Sequence, residues 1–280
     1  MSVRASRRDN VAAIESLAPV HTPRGSLYTW TAQPAGSNSC VVICSSLFGD
    51  FTGNYHRERL LGQALAKAGH GVIRFHYAGE GNSEGDPSEM TFDSLCDDAR
   101  AVIDHAESLG FSDFVLVGTR LGALVAAATV ASRPSVPLVL WEPVTDPFVF
   151  LAHGQRAKRM SLVIQDREDQ VTDWRHDLER NGVLDLFGYD VYPPLIQSLE
   201  DVGLLAALGS EPRRMFIAGF QRGASAFDPI RDELTGRGFP VETADFDLSE
   251  SWWFATEKAP RSGDLISATA AWVAQAFRSA

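Results

Sequence analysis

Apolar and polar positions alternate between two patterns along most of the chain. Residues 39–47 (SCVVICSSL) form a nearly unbroken apolar run, as a strand covered on both faces requires. In 56–69 (HRERLLGQALAKAG), Leu60, Leu61, Ala64, Leu65 and Ala68 recur at helical spacing. The pair then repeats. Residues 70–77 (HGVIRFHY) predict a strand, and a Gly-rich loop follows. Residues 91–110 predict a helix with Leu95, Ala99, Val102, Ile103 and Ala106 on one face. Thr91 or Asp93 is placed to cap it and Gly110 to stop it. DFVLVG (113–118) predicts a strand, TRLGALVAAATVASR a close-packing helix of small residues, and 136–144 (VPLVLWEPV) another strand. Upstream, GSLYTWTAQ alternates and predicts an edge strand, while 1–24 reads as an N-terminal segment, weakly ordered at its start, with a short apolar patch at 11–19.

The rhythm breaks at 147–210, which is charged, helical in pattern and carries Trp174, Tyr189 and Tyr192. It returns with RRMFIAGF (213–220), DPIRDELTGRG, VETADFD and a last helix. The expected organisation is an N-terminal segment 1–24, a core of 25–146 and 211–280, and an inserted helical cap at 147–210. The expected fold class is α/β, with a mostly parallel, doubly covered sheet. Ligands in such sheets sit at the carboxyl ends of the strands. That rule selects 45–48, 77–82, 119–121 and 142–146.

Composition narrows the function classes. The 280 residues are 45% hydrophobic and 22% charged, enough to bury a core without covalent staples. A net charge of -11 argues against nucleic acid as a general partner, since an acidic surface repels phosphate backbones. Cys40, Cys44 and Cys96 are odd in number and lack zinc-knuckle spacing; they read as buried free thiols in a reducing compartment. Glu15 interrupts the apolar patch that follows Arg4, Arg7 and Arg8, against a signal peptide, and no run is long enough to span a membrane. A cytoplasmic protein without metal or cofactor is expected.

Three stretches carry a resemblance. RFHYAGEGNSEG (74–85) resembles the loop motif Arg-x-Asp-x-x-Gly-x-Gly-x-Ser-x-Gly, with His76 in place of the Asp. SSLFGD stands where an oxyanion-hole loop follows its strand, and GTRLGA (118–123) is similar to the nucleophile elbow Gly-x-Ser-x-Gly. Together, over roughly residues 25–280, they resemble the α/β-hydrolase superfamily. GTRLGALVAA, LWEPVTDPFVFL and WWFATEKA resemble its serine-aminopeptidase-like branch, whose exosortase-associated members often carry Arg at the elbow. The resemblance implies an Asp or Glu after the strand 213–220 and a His in the loop LSESWWFATEKAP. Here Gln221 and Arg222 stand at the acid position, with Asp228 near, and the loop contains no histidine. Arg120 replaces the nucleophile. Loss of the serine alone costs about a million-fold in turnover in a serine protease, so the sequence predicts that the usual acyl-enzyme route is closed.

Arg120 at a helix start, with the backbone N–H of Leu121 and that of Leu47 or Phe48, suits an anion receptor for a carboxylate or phosphate. Thr119, Glu142, Arg222 and Trp252 are the further candidates to line it. The competing expectation is an internal salt bridge from Arg120 to Glu142 or Asp146 that plugs the cleft. Ser46 is the one serine placed to serve as a substitute nucleophile, with His56 or His76 as base. The expectation is therefore a hydrolase-fold protein without the Ser-His-Asp triad, binding an anionic or acyl-bearing small molecule as an accessory protein or a non-hydrolytic biosynthetic enzyme. The alternatives are an atypical ester or thioester hydrolase using Ser46 or activated water, and a pseudoenzyme scaffold for a protein partner or a homodimer.

Overall fold

The computed structural model describes residues 13–166, 174–186, 188–220, 226–248 and 262–279. Among them, one eight-stranded sheet runs in the order β1-β2-β4-β3-β5-β6-β9-β10. Its strands are β1 (Ala13–Thr22), β2 (Gly25–Pro34), β3 (Ser39–Cys44), β4 (Gly71–Phe75), β5 (Asp113–Thr119), β6 (Leu138–Trp141), β9 (Met215–Gly219) and β10 (Val241–Asp245). From β4 to β10 all neighbours are parallel, while β1–β2 and β2–β4 are antiparallel. The α/β architecture expected from the apolar runs is present.

Every residue of β3 is buried because the sheet is covered on both sides. Cys40, Val42 and Cys44 face one layer, with Leu95 of α2 (Phe92–Ser108) and Leu124 of α3 (Leu121–Thr129). Val41 and Ile43 face the other, with Leu61 and Leu65 of α1 (Gly49–Lys67) and Val273 of α9 (Gly263–Ser279). Trp141, fully buried, donates its indole N–H to Thr269 of α9 at 3.0 Å, which satisfies the polar end of a large core ring. Thr91 caps α2 in a reciprocal capping box with Ser94.

Two expectations change. GSLYTWTAQ forms β2 but is not the edge; β1 pairs along its whole length outside it. The core sheet therefore begins at Ala13 rather than after residue 24. Helix α1 also starts at Gly49, earlier than the apolar spacing suggested, so His56 lies inside the helix rather than at its start.

Between β6 and β9, none of the described residues joins the main sheet. The chain forms α4 (Pro147–Ile164), α5 (Trp174–Asn181), a hairpin of β7 (Leu184–Leu186) and β8 (Tyr189–Val191), α6 (Pro193–Ser198) and α7 (Leu204–Ala207). Among its described residues the segment is mostly helical and also carries the hairpin. The remaining helix, α8 (Asp228–Gly236), connects β9 to β10. Among the described residues, no helix is long and apolar enough to cross a membrane.

Candidate functional site

The site begins with backbone geometry at three neighbouring strand ends. Phe48 follows β3 with φ 57°, Arg120 follows β5 with φ 55°, and Glu142 follows β6 with φ 40°. Each is a non-glycine residue in the left-handed region, a conformation costing about 1–3 kcal/mol that persists where surrounding structure enforces it. At Arg120 the enforcement is visible. Its N–H donates to Trp141 O at 2.9 Å, and its carbonyl accepts from Ala123 and Val144. A Cβ on Gly118 would lie 2.5 Å from Ala123 Cα, and one on Gly122 would lie 2.3 Å from Ser45 O. The two glycines are therefore required for strand, turn and helix to pass this closely, and the sharp turn expected from GTRLG is present with Arg120 at its apex.

The Arg120 side chain enters a cavity of about 660 Å³. Its floor is the strand ends and the first turns of α1. One wall is α4, through Val149, Phe150, His153, Arg156 and Met160. That volume falls within the range of small-molecule sites. Arg120 Nε donates to Asp50 Oδ2 at 2.9 Å and Nη1 to the Glu142 carbonyl at 3.3 Å. Nη2 has no hydrogen-bond partner among the described residues, and the guanidinium lies 5.6 Å from the Phe150 ring centroid. Asp50 is nearly buried, whereas the Arg120 side chain keeps 23% of its surface. One edge of the guanidinium is thus tied down and the rest remains open to the cavity. Arg57, also on α1, donates to Asn54 Oδ1 at 3.0 Å and lies over the Phe220 ring beside the same cavity.

The sequence placed a salt bridge at Arg120 but named the wrong acids. Glu142 offers its backbone carbonyl, and its carboxylate accepts from Phe220 N–H at 2.6 Å. Burial raises the Glu142 carboxyl pKa against the lowering effect of that N–H and of Arg120. Asp146 caps α4 by accepting from the N–H groups of Phe148 and Val149. Asp50 was missed because its contact is set by the adjacency of β3 and β5, not by any motif.

Other expected site residues separate. Phe48, Arg120 and Glu142 line the cavity together, but Ser46, Leu47, Thr119 and Leu121 do not. Ser46 is buried beneath α1, where its N–H and Oγ both donate to Glu58 Oε1, at 3.1 and 3.4 Å. The Phe48 N–H, expected as an oxyanion donor, goes instead to Glu80 Oε1 at 3.1 Å. Neither proposed base reaches Ser46: His56 lies against Arg59, and His76 Nδ1 accepts from Asn82 N–H at 3.0 Å. Arg222 and Trp252 lie outside the described residues. His153 lines the cavity on α4, a position for which the sequence offered no signal beyond the residue itself.

His76 has a measurable consequence. Burial, aided by the positive charge of Arg74, pushes its pKa down to about 4. The unfolded chain therefore binds the extra proton first, and stability declines as pH falls from about 6.5 through about 4. Glu58, Glu80 and Glu142 are shifted upward by burial and act in the opposite sense, so the effect is read as a difference. Relative to His76→Asn, the wild type is expected to lose about 3 kcal/mol across that window in urea titrations; equal slopes would contradict it.

Comparison with known proteins agrees with this fold. A family model described as alpha/beta hydrolase fold matches residues 40–139. A structure of Est1E from Butyrivibrio proteoclasticus with ferulic acid bound superposes with a TM-score of 0.65 at 14% identity, covering 93% of this chain and 99% of that one. An esterase of Pyrococcus furiosus gives 0.63 at 14% identity, covering 99% and 95%. The alpha/beta hydrolase domain-containing protein 10 from mouse gives 0.59 at 17%, covering 94% and 99%. A comparison with curated protein sequences gives no match. A family match over residues 40–139 and the same architecture over nearly its whole length show that the chain has the α/β-hydrolase fold.

Proposed function

We propose that the protein binds a small carboxylate or other acyl-derived anion with an apolar body, and that Arg120 receives the anionic group where the superfamily places its nucleophile. The observation that carries this reading is the open edge of the Arg120 guanidinium, held at the apex of a strained turn and facing a cavity of about 660 Å³. Asp50 fixes the direction of the side chain without covering Nη2, and a planar guanidinium pairs with a carboxylate through two parallel hydrogen bonds. Phe150, Phe220, Phe227, Ile230 and Leu248 provide the apolar lining. That a structure of the same fold holds ferulic acid, an aromatic carboxylate, supports this choice of ligand chemistry. With arginine at the elbow, the acyl-enzyme route is closed, and the role is that of an accessory binder or of a catalyst working by electrostatic positioning.

His153 favours one second reading. An imidazole on the cavity wall could serve as base for water attacking a bound ester or thioester, with Arg120 stabilising the charge that develops on the acyl oxygen.

Thermal denaturation with aryl carboxylates and their methyl esters separates the two. Stabilisation by the acids alone, with no ester turnover, is the result expected of the receptor. Ester turnover abolished by His153→Gln would establish the second reading. No stabilisation by any acid at millimolar concentration would overturn the first.

A further inference from the structure

A second cavity lies on the opposite side of α1 and shares no lining residue with the first. Its volume is about 120 Å³, and it is lined by Leu17, Tyr28, Trp30, Tyr55, Arg59, Gln63, Arg74 and His76. Helix α1 thus turns Asn54 and Arg57 to the large cavity and Tyr55, Arg59 and Gln63 to the small one. The space equals that of about four waters in the liquid, the size of acetate or phosphate.

Two cations, Arg74 and Arg59, border this space without a carboxylate in ion-pair contact among the described residues. Arg74 is only 6% exposed, yet its Nε has no hydrogen-bond partner. Arg74 favours the charged form of buried Glu58 without an ion-pair contact; Glu58 Oε1 accepts from Ser46, and its Oε2 has no hydrogen-bond partner. Elsewhere in this acidic chain, arginines find partners readily, as Arg24 does with Asp98 and Arg133 with Glu107. A buried arginine ordinarily needs such a partner, because leaving a charge uncompensated out of water is costly. The cavity walls also present donors and rings. The Tyr55 ring lies 4.7 Å from the Arg74 guanidinium. His76, whose Nδ1 is occupied by Asn82 N–H, keeps Nε2 as its donor.

We propose that this cavity is a binding site for a small oxyanion, a carboxylate or phosphate group, held between Arg74 and Arg59 with Tyr55 and His76 alongside. It is independent of the site at Arg120. The test uses the Arg120→Gln protein, so that carboxylate binding in the large cavity does not intrude. Inorganic phosphate and acetate are titrated calorimetrically at pH 7 and constant ionic strength, and the Arg74 Nε–H resonance is followed by NMR. Saturable one-to-one binding of either anion is expected, with a shift of that resonance and a tenfold or greater loss of affinity on adding Arg59→Gln. Comparison of the two anions identifies which chemistry the site prefers. Absence of saturable binding by both, or unchanged affinity with Arg59→Gln in a protein of native circular dichroism, would overturn the proposal.

Discussion

Replacing Gly122 with alanine is expected to destabilise the protein by about 3 kcal/mol or more, beyond the usual range for an added methyl group in a packed core. The added Cβ would stand 2.3 Å from Ser45 O and 2.4 Å from Cys44 O. Both are backbone atoms at the end of β3, so no side chain can rotate away. Relief requires α3 to move off the central strands, and α3 is buried along nearly its whole length. Gly118→Ala meets Ala123 Cα and Gly122 O at 2.5 Å and belongs to the same class. As a control, Gly36 has open space around it. Its φ of 73° makes Gly36→Ala cost about 1 kcal/mol through backbone conformation alone. Chemical denaturation of the three variants ranks them; a Gly122→Ala protein no weaker than Gly36→Ala would mean that the elbow is not packed as described.

Arg120→Met is the second large effect. It removes the partner of Asp50, whose side chain is only 4% exposed, and leaves a carboxylate buried without compensation. The expected loss is about 3 kcal/mol at neutral pH, the lower end for breaking a buried pair because the arginine retains some solvent. The strained backbone at position 120 is unchanged by methionine, so the loss reports the ion pair. In the double variant Arg120→Met/Asp50→Leu the orphaned charge is gone, and most of the stability should return, since apolar replacement of a buried pair is often neutral. If the single variant is as stable as wild type, Asp50 is not the residue that holds Arg120.

Much of the fold could be read in the sequence because its strands are buried on both faces. Runs such as SCVVIC and DFVLVG have few other uses, and the glycines around Arg120 mark a close approach of backbones that the structure contains. Strand β1 escaped because its outward residues are exposed, Ile14 and Leu17 among them, so its pattern lacks a buried face. Its order comes from ladder pairing with β2, a property of the neighbour rather than of its own sequence. The site was only partly legible. Arg120 was found from its flanking glycines, but Asp50 is 70 positions away in the chain and meets it through strand adjacency alone. Ser46 looked accessible because it follows a strand end. The loop instead turns it down onto Glu58, which lies on α1 with no sequence signal linking the two.

The most direct test of Arg120 as a carboxylate receptor is calorimetric titration with ferulate and its methyl ester. A receptor at Arg120 predicts saturable one-to-one binding of ferulate by the wild type, at least tenfold weaker binding in Arg120→Gln, and little or no affinity for the ester. Equal ferulate affinity in the wild type and Arg120→Gln, or ester bound as tightly as acid, would contradict it.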